Sequence, residues 1–186
     1  DKSLVAAERV GDTLRYRLLE TIRQFAAERL AEVGEQAAAA AAAEHCAYFL
    51  SAAEAAALHL TGPDQGRWLA RLDADHANLR HAAEHAASGA DGTAQILRFG
   101  VALRRYWLAR SRYAEALALL LPALERPEAR TDPRLFGEAL VTAAVISPFV
   151  DLAPTRRLGE QAVELGRELH DDQLLSEALS VLSVAC

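Results

Sequence analysis

Methionine is missing from this 186-residue chain, which begins at Asp1. Residue 1 is therefore no translation start as it stands, and the chain reads as a fragment of something longer. Lysine is almost missing: Lys2 stands alone among 20 basic residues, and the alanine load is heavy, as in a chain from a GC-rich genome. Phe, Trp and Tyr make up only 6%, beside 10 Gly and 6 Pro, which argues against a β-rich fold and for an all-α one, where Ala and Leu have the best propensities. Two cysteines, Cys46 and Cys186, are too few for a disulfide framework, so a reduced, cytoplasmic setting is expected. No apolar run approaches the ~20 residues that span a bilayer, and charges throughout the first thirty residues argue against a secretion signal, so no membrane partner is expected. No Gly-rich phosphate loop exists, so no cofactor is expected in this fragment, and no helix-turn-helix is evident. The net charge of −6 argues against direct nucleic-acid binding, which draws most of its affinity from neutralised phosphates.

What is present begins with a contrast. The segment 14–30 passes from a β-branched and aromatic run into a strongly helical one, after a turn at Gly11-Asp12. Segments 4–8 and 13–17 read as a hairpin. A helix over 18–33 follows, with Leu19, Ile22, Phe25, Ala26 and Leu30 near an i, i+3, i+4 stripe and Gly34 as its C-cap. A second helix over 35–60 crosses seven alanines at 37–43, small enough for close packing with a neighbour. Thr61-Gly62-Pro63-Asp64 breaks the chain. Trp68, Leu69, Leu72, Leu79 and Ala82 then keep helical spacing, with a kink expected near 73–76, and 88–92 is the next break.

From Thr93 onward the sequence repeats. Tyr113, Ala116, Leu120, Ala123 and Leu124 are followed by Pro127. Leu152, Thr155, Gly159, Ala162 and Val163 stand thirty-nine residues later, as Glu177-Ala178-Leu179 stands to Glu138-Ala139-Leu140. A period of this size built from helix pairs is an α-solenoid signature. The first set resembles the second helix of a tetratricopeptide repeat. The first helix of that unit, around Leu103 and Trp107, carries Arg104 where the repeat prefers a small residue, which the next unit supplies as Ala143. A third unit starts near Asp172 and is cut off at Cys186, so the open face of its helix is expected to be apolar.

Four motifs in order link the halves: Tyr16-Arg-Leu-Leu-Glu-Thr-Ile-Arg-Gln-Phe-Ala26, Gly62-Pro-Asp-Gln65, Trp68-Leu-Ala-Arg-Leu72 and Asp75-His-Ala-Asn-Leu-Arg80. Together they resemble the middle of STAND-class bacterial transcriptional regulators, relatives of apoptotic and plant-resistance nucleotide switches, many with LuxR-type DNA-binding ends. The resemblance covers nearly the whole chain. It implies an upstream NB-ARC-like ATPase and winged-helix module followed by a helical region and a tetratricopeptide-like array. Residues 1–17 would then be the winged-helix domain's last hairpin, 18–89 a helical linker region, and 90–186 the repeats, the third one truncated. Arg17-Leu18-Leu19-Glu20 would align with the family's Met-His-Asp motif. Leu19 stands in place of the nucleotide-sensing His and cannot donate a hydrogen bond, so that contact does not carry over. ATP is expected only in the missing upstream module.

Four places in the chain carry residues that could support sharper chemistry. His81-Ala-Ala-Glu84-His85 matches an inverted zinc-peptidase pattern, but no third ligand is evident, and an ordinary helix is the better reading. His45 and Cys46 are adjacent on a helix and point about 100° apart, so Cys46 reads as a small core residue. Arg98, Arg104, Arg105, Arg110 and Arg112 form an acid-free run interleaved with aromatics, which Arg156 and Arg157 could extend. The run reads as a solvated face or as a docking surface for the ATPase core or another protein. Trp68 and Trp107 could line a ligand groove, although both lie on apolar helical stripes and fit core packing. The expectation is a non-catalytic, tetratricopeptide-like α-solenoid with a short N-terminal β-hairpin. It would act as the sensor and scaffold arm of an ATP-dependent regulator, responding to a protein, peptide or small-molecule effector. The alternative is a free-standing adaptor that binds a partner peptide.

Overall fold

Strand-forming residues at both ends of the first segment give β1 (Val5–Val10) and β2 (Thr13–Leu18). The two pair antiparallel, with Val5 opposite Leu18 and Val10 opposite Thr13. The computed structural model describes residues 5–10, 13–18, 20–87 and 92–184. The expected turn at Gly11-Asp12, Leu19, most of the break at 88–92 and Cys186 lie outside them. The ladder takes Leu18, a residue expected in the helix, because pairing with Val5 outweighs leucine's local helix preference. Helix α1 accordingly runs Glu20–Val33. Gly34, at φ +130°, then reverses the backbone in a conformation open to glycine alone, and α2 (Glu35–Ala57) begins.

Contacts divide the chain into two units, Asp1–Glu44 and His45–Cys186. The first holds the paired strands, α1 and the start of α2. Its expected apolar stripe is largely open: Phe25 is 55% exposed, while Ile22 and Leu30 are half-buried. The alanine run at 37–43 is likewise exposed or half-buried.

The second unit is helical throughout its described residues. It contains the rest of α2, α3 (Gln65–Ala86), α4 (Gly92–Ala109), α5 (Tyr113–Leu124), α6 (Pro133–Ile146), α7 (Ala153–Glu168) and α8 (Asp172–Val184). Short 3-10 turns occupy Pro127–Thr131 and Ser147–Phe149. Helix α2 ends three residues short of the expected limit, although Leu60 beyond it is still buried. Helix α3 runs uninterrupted through 73–76, where a kink was expected, because Leu72 and Leu79 keep one face on the core on either side of the polar stretch.

From α3 onward each helix packs on its successor, and two alternate pairs meet as well: α4 lies on α6, and α6 on α8. The residues that repeat at 39 make these contacts. Ala116 and Thr155, Leu120 and Gly159, Ala123 and Ala162, Leu124 and Val163 are all buried. The first pair differs, since Tyr113 is half-buried while Leu152 is 58% exposed. Small residues let the axes approach: a Cβ on Gly159 would stand 2.7 Å from the Leu182 side chain. On α8 the open face carries Ser176, Ser180 and Ser183 around Leu179, so it is less apolar than expected. Two of these hydroxyls fold back onto their own helix, Ser180 Oγ on Ser176 O at 2.8 Å and Ser183 Oγ on Ser180 O at 2.7 Å.

Candidate functional site

Helix α4 ends in a left-handed cap. Ser111 adopts φ 53°, and Arg112 N–H donates back to Trp107 O at 2.9 Å, the wide bond of a Schellman motif. Helix α7 ends the same way at His170, with Asp171 N–H on Gly166 O at 3.0 Å. The first cap starts α5 directly after α4, with Arg110 and Arg112 in the connection.

Carboxylates from other helices meet the arginine run. Arg98 grips Glu54 of α2 with two bonds, at 2.8 and 2.9 Å. Arg104 reaches Glu177 of α8 at 2.8 Å, and Arg110 reaches Asp73 of α3 at 2.8 and 3.0 Å. Arg112 lies 3.7 Å from Glu115 with its guanidinium over the Tyr106 ring. Arg157 contacts Glu125 at 3.3 Å and Arg156 contacts Glu160 at 2.8 Å. Arg105 is exposed. The cationic run in the sequence is thus largely a set of interhelical clasps in the fold. At this exposure each is worth about 0.2–1 kcal/mol, enough to select a packing but little to hold it. Arg104, large where a small residue was preferred, spans from α4 to α8. Burial alone would raise the Glu177 carboxyl, but the Arg104 bond and charge, helped by Arg105, hold it below its usual range.

A second polar group joins α3, α4 and α5. Tyr106 and Trp107 are almost fully buried, at 0% and 1% exposure, and each keeps its polar tip satisfied. The Tyr106 hydroxyl donates to Asp73 at 3.1 Å, and Trp107 Nε1–H donates to Glu115 at 3.4 Å. His76 Nε2 lies 3.3 Å from the other Glu115 oxygen. Arg110's hydrogen bond is the main cause that holds Asp73 below the ordinary carboxylate range. Burial pushes Tyr106 up to about 12. It also lowers His76, against the pull of Glu115.

Beside this group lies a recess of about 370 Å³, walled by Leu79, Ala83, Leu103, Trp107 and Leu119 with His76 at its edge. A wider recess of about 620 Å³ runs between α4, α6 and α8, past Val141, Val145, Phe149 and Val181, with Arg104 and Glu177 on its rim. Of the two tryptophans, Trp107 borders the first recess. Trp68 instead stacks on His59 at 4.5 Å, with Arg71 over its ring.

His81 Nδ1 sits 3.5 Å from Glu84. Across from them, burial first, and then His81 and His85, lower the pKa of His45. Among the described residues no three His, Cys, Asp or Glu are arranged to hold a metal ion. Cys46 is buried, its Sγ lies 3.6 Å from Gln95 Oε1, and burial raises its thiol pKa. No helix among the described residues is long and apolar enough to cross a membrane.

No family model matches the chain, and no solved structure does. It is 31% identical over 191 aligned residues to the "Putative HTH-type transcriptional regulator Rv0890c" of Mycobacterium tuberculosis, and equally to a counterpart of that name, Mb0914c, in Mycobacterium bovis. Each alignment takes in 97% of this chain but 21% of the relative, so the chain spans about a fifth of the length of the curated relatives it matches.

Proposed function

We propose that this chain is the non-catalytic sensor and scaffold arm of an ATP-dependent transcriptional regulator of the STAND class. The similarity to helix-turn-helix regulators along nearly its whole length carries the reading. The order of motifs from Tyr16 to Arg80 supplies the class. In this reading α4/α5 and α6/α7 are two tetratricopeptide-like units of an α-solenoid and α8 opens a third. The packing of alternate helices and the shared burial of the 39-residue signature support it. The strands β1 and β2 are the closing hairpin of a winged-helix domain, and α1 is the mechanical link from that domain into the arm. The open stripe around Phe25 fits a helix that packs against a module beyond these residues.

The arm holds the ATPase module in one arrangement. An effector that binds the array more tightly in a second arrangement shifts the population by that difference in affinity. ATP and DNA are handled by other parts of the parent protein, which acts in the cytoplasm.

The coding sequence on both sides of this fragment tests the reading. A P-loop ATPase upstream, with more repeats or a DNA-binding domain downstream, is the expected result. A start codon just before Asp1 and no ATPase would leave a free-standing adaptor, and peptide-binding screens would follow.

A further inference from the structure

We propose that the recess between α3, α4 and α5 binds a neutral, mostly apolar small molecule, aromatic or acyl, bearing one hydrogen-bonding group for the His76–Glu115 edge. The recess is an open-mouthed, mostly apolar cleft of about 370 Å³ between three packed helices. It falls in the range of small-molecule pockets, which are largely hydrophobic with a few placed polar groups. Its walls come from Leu79 and Ala83 of α3, Leu103 and Trp107 of α4, and Leu119 of α5. Ala118 and Ala87 are exposed and mark its mouth.

The polar groups at the recess decide the ligand's charge. Glu115 already receives Trp107 Nε1–H and faces His76 and Arg112, while Arg80 pairs with Glu84 at 3.5 Å. These charges offset each other, so no bare cation or carboxylate is left to select an ion. The Glu115 contacts, at 3.3 to 3.7 Å, are long enough to leave capacity for one more donor. The Asp73–Tyr106–Arg110 bonds tie α3 to the end of α4 beside the recess. Since the recess is bounded by three helices, an occupant couples α3 to the α4/α5 pair. Its role as an effector site rests on the regulator reading, whereas binding itself does not.

The test titrates the 186-residue chain with N-phenyl-1-naphthylamine, a neutral probe that accepts energy from tryptophan. The expected result is saturable binding of one probe per chain, with Trp emission transferred to it. Ala118→Phe and Ala87→Phe, both at exposed positions, should each weaken binding at least tenfold with the helical circular-dichroism spectrum unchanged. Ser180→Phe, which blocks the α4/α6/α8 recess instead, should leave it within twofold. The anionic probe 1-anilinonaphthalene-8-sulfonate should bind at least tenfold more weakly than the neutral one. Absence of saturable binding, indifference to both mouth variants, loss in Ser180→Phe, or preference for the anion would overturn the assignment. None of these outcomes bears on whether the parent protein is a regulator, which the flanking sequence decides separately.

Discussion

Tyr106 and Trp107 set the contact between α3, α4 and α5, because each combines a fully buried ring with a polar tip bound to a carboxylate on a different helix. Trp107→Ala should cost about 3–5 kcal/mol in urea unfolding, the usual cost of deleting a core aromatic. Tyr106→Phe removes one bond and leaves Asp73 held by Arg110, so its cost should stay near 0.5–1.5 kcal/mol. A double-mutant cycle with Asp73→Asn separates that bond from the packing of the ring. Two half-buried histidines set the pH dependence. His45 and His76 both titrate below 6.5 in the folded chain. The unfolded chain therefore takes up protons first, and their contribution is complete above 6.5 and is lost as pH falls through the folded pKa values. Asp73 and Glu177 are held low instead, so their contribution survives until the pH nears or passes below ordinary carboxylate values. Stability should thus decline as pH falls below about 6.5, and His45→Gln with His76→Gln should flatten the decline. An unchanged slope in that double variant would contradict the assignment.

At the scale of elements, the two left-handed caps and the small residues between helices determine how α4 to α8 stack. His170 holds φ 52° without being glycine, a conformation that costs most residues about 1–2 kcal/mol. His170→Gly should therefore raise the melting temperature, or at worst leave it unchanged. Gly159→Val pushes side-chain atoms into Leu182 and should destabilise by about 1–3 kcal/mol, with part of the loss recovered by Leu182→Ala. This level was the most legible in the sequence: the period of 39 marked Ala116, Leu120, Ala123 and Ala162, all of which are buried. Boundaries were less legible where tertiary pairing overrode local preference, as at Leu18, or where an apolar face ran on beneath a polar stretch, as at 73–76. The arginine clasps were not legible at all. Glu54, Asp73 and Glu177 lie 44, 37 and 73 residues from the arginines they hold, and no spacing rule connects them. The same distance hid the recess, since only the packing of three helices creates it.

For the molecule as a whole, the division into Asp1–Glu44 and His45–Cys186 separates a part whose described apolar residues are exposed or half-buried from one with a continuous core. Expressed alone, residues 45–186 should give a single cooperative thermal transition, since the described core lies within them. A broad, non-cooperative loss of helix would show that the first unit is needed for folding. The central claim is that α1 transmits the state of the arm to the rest of a regulator. It is tested most directly by Glu28→Gly with Arg29→Gly in the parent protein, read by transcription from its target promoter. Two glycines in the middle of α1 cost about 1 kcal/mol each relative to alanine and break a rigid connection. The account predicts that the response to inducer is lost while DNA binding persists. An unaltered response would contradict it.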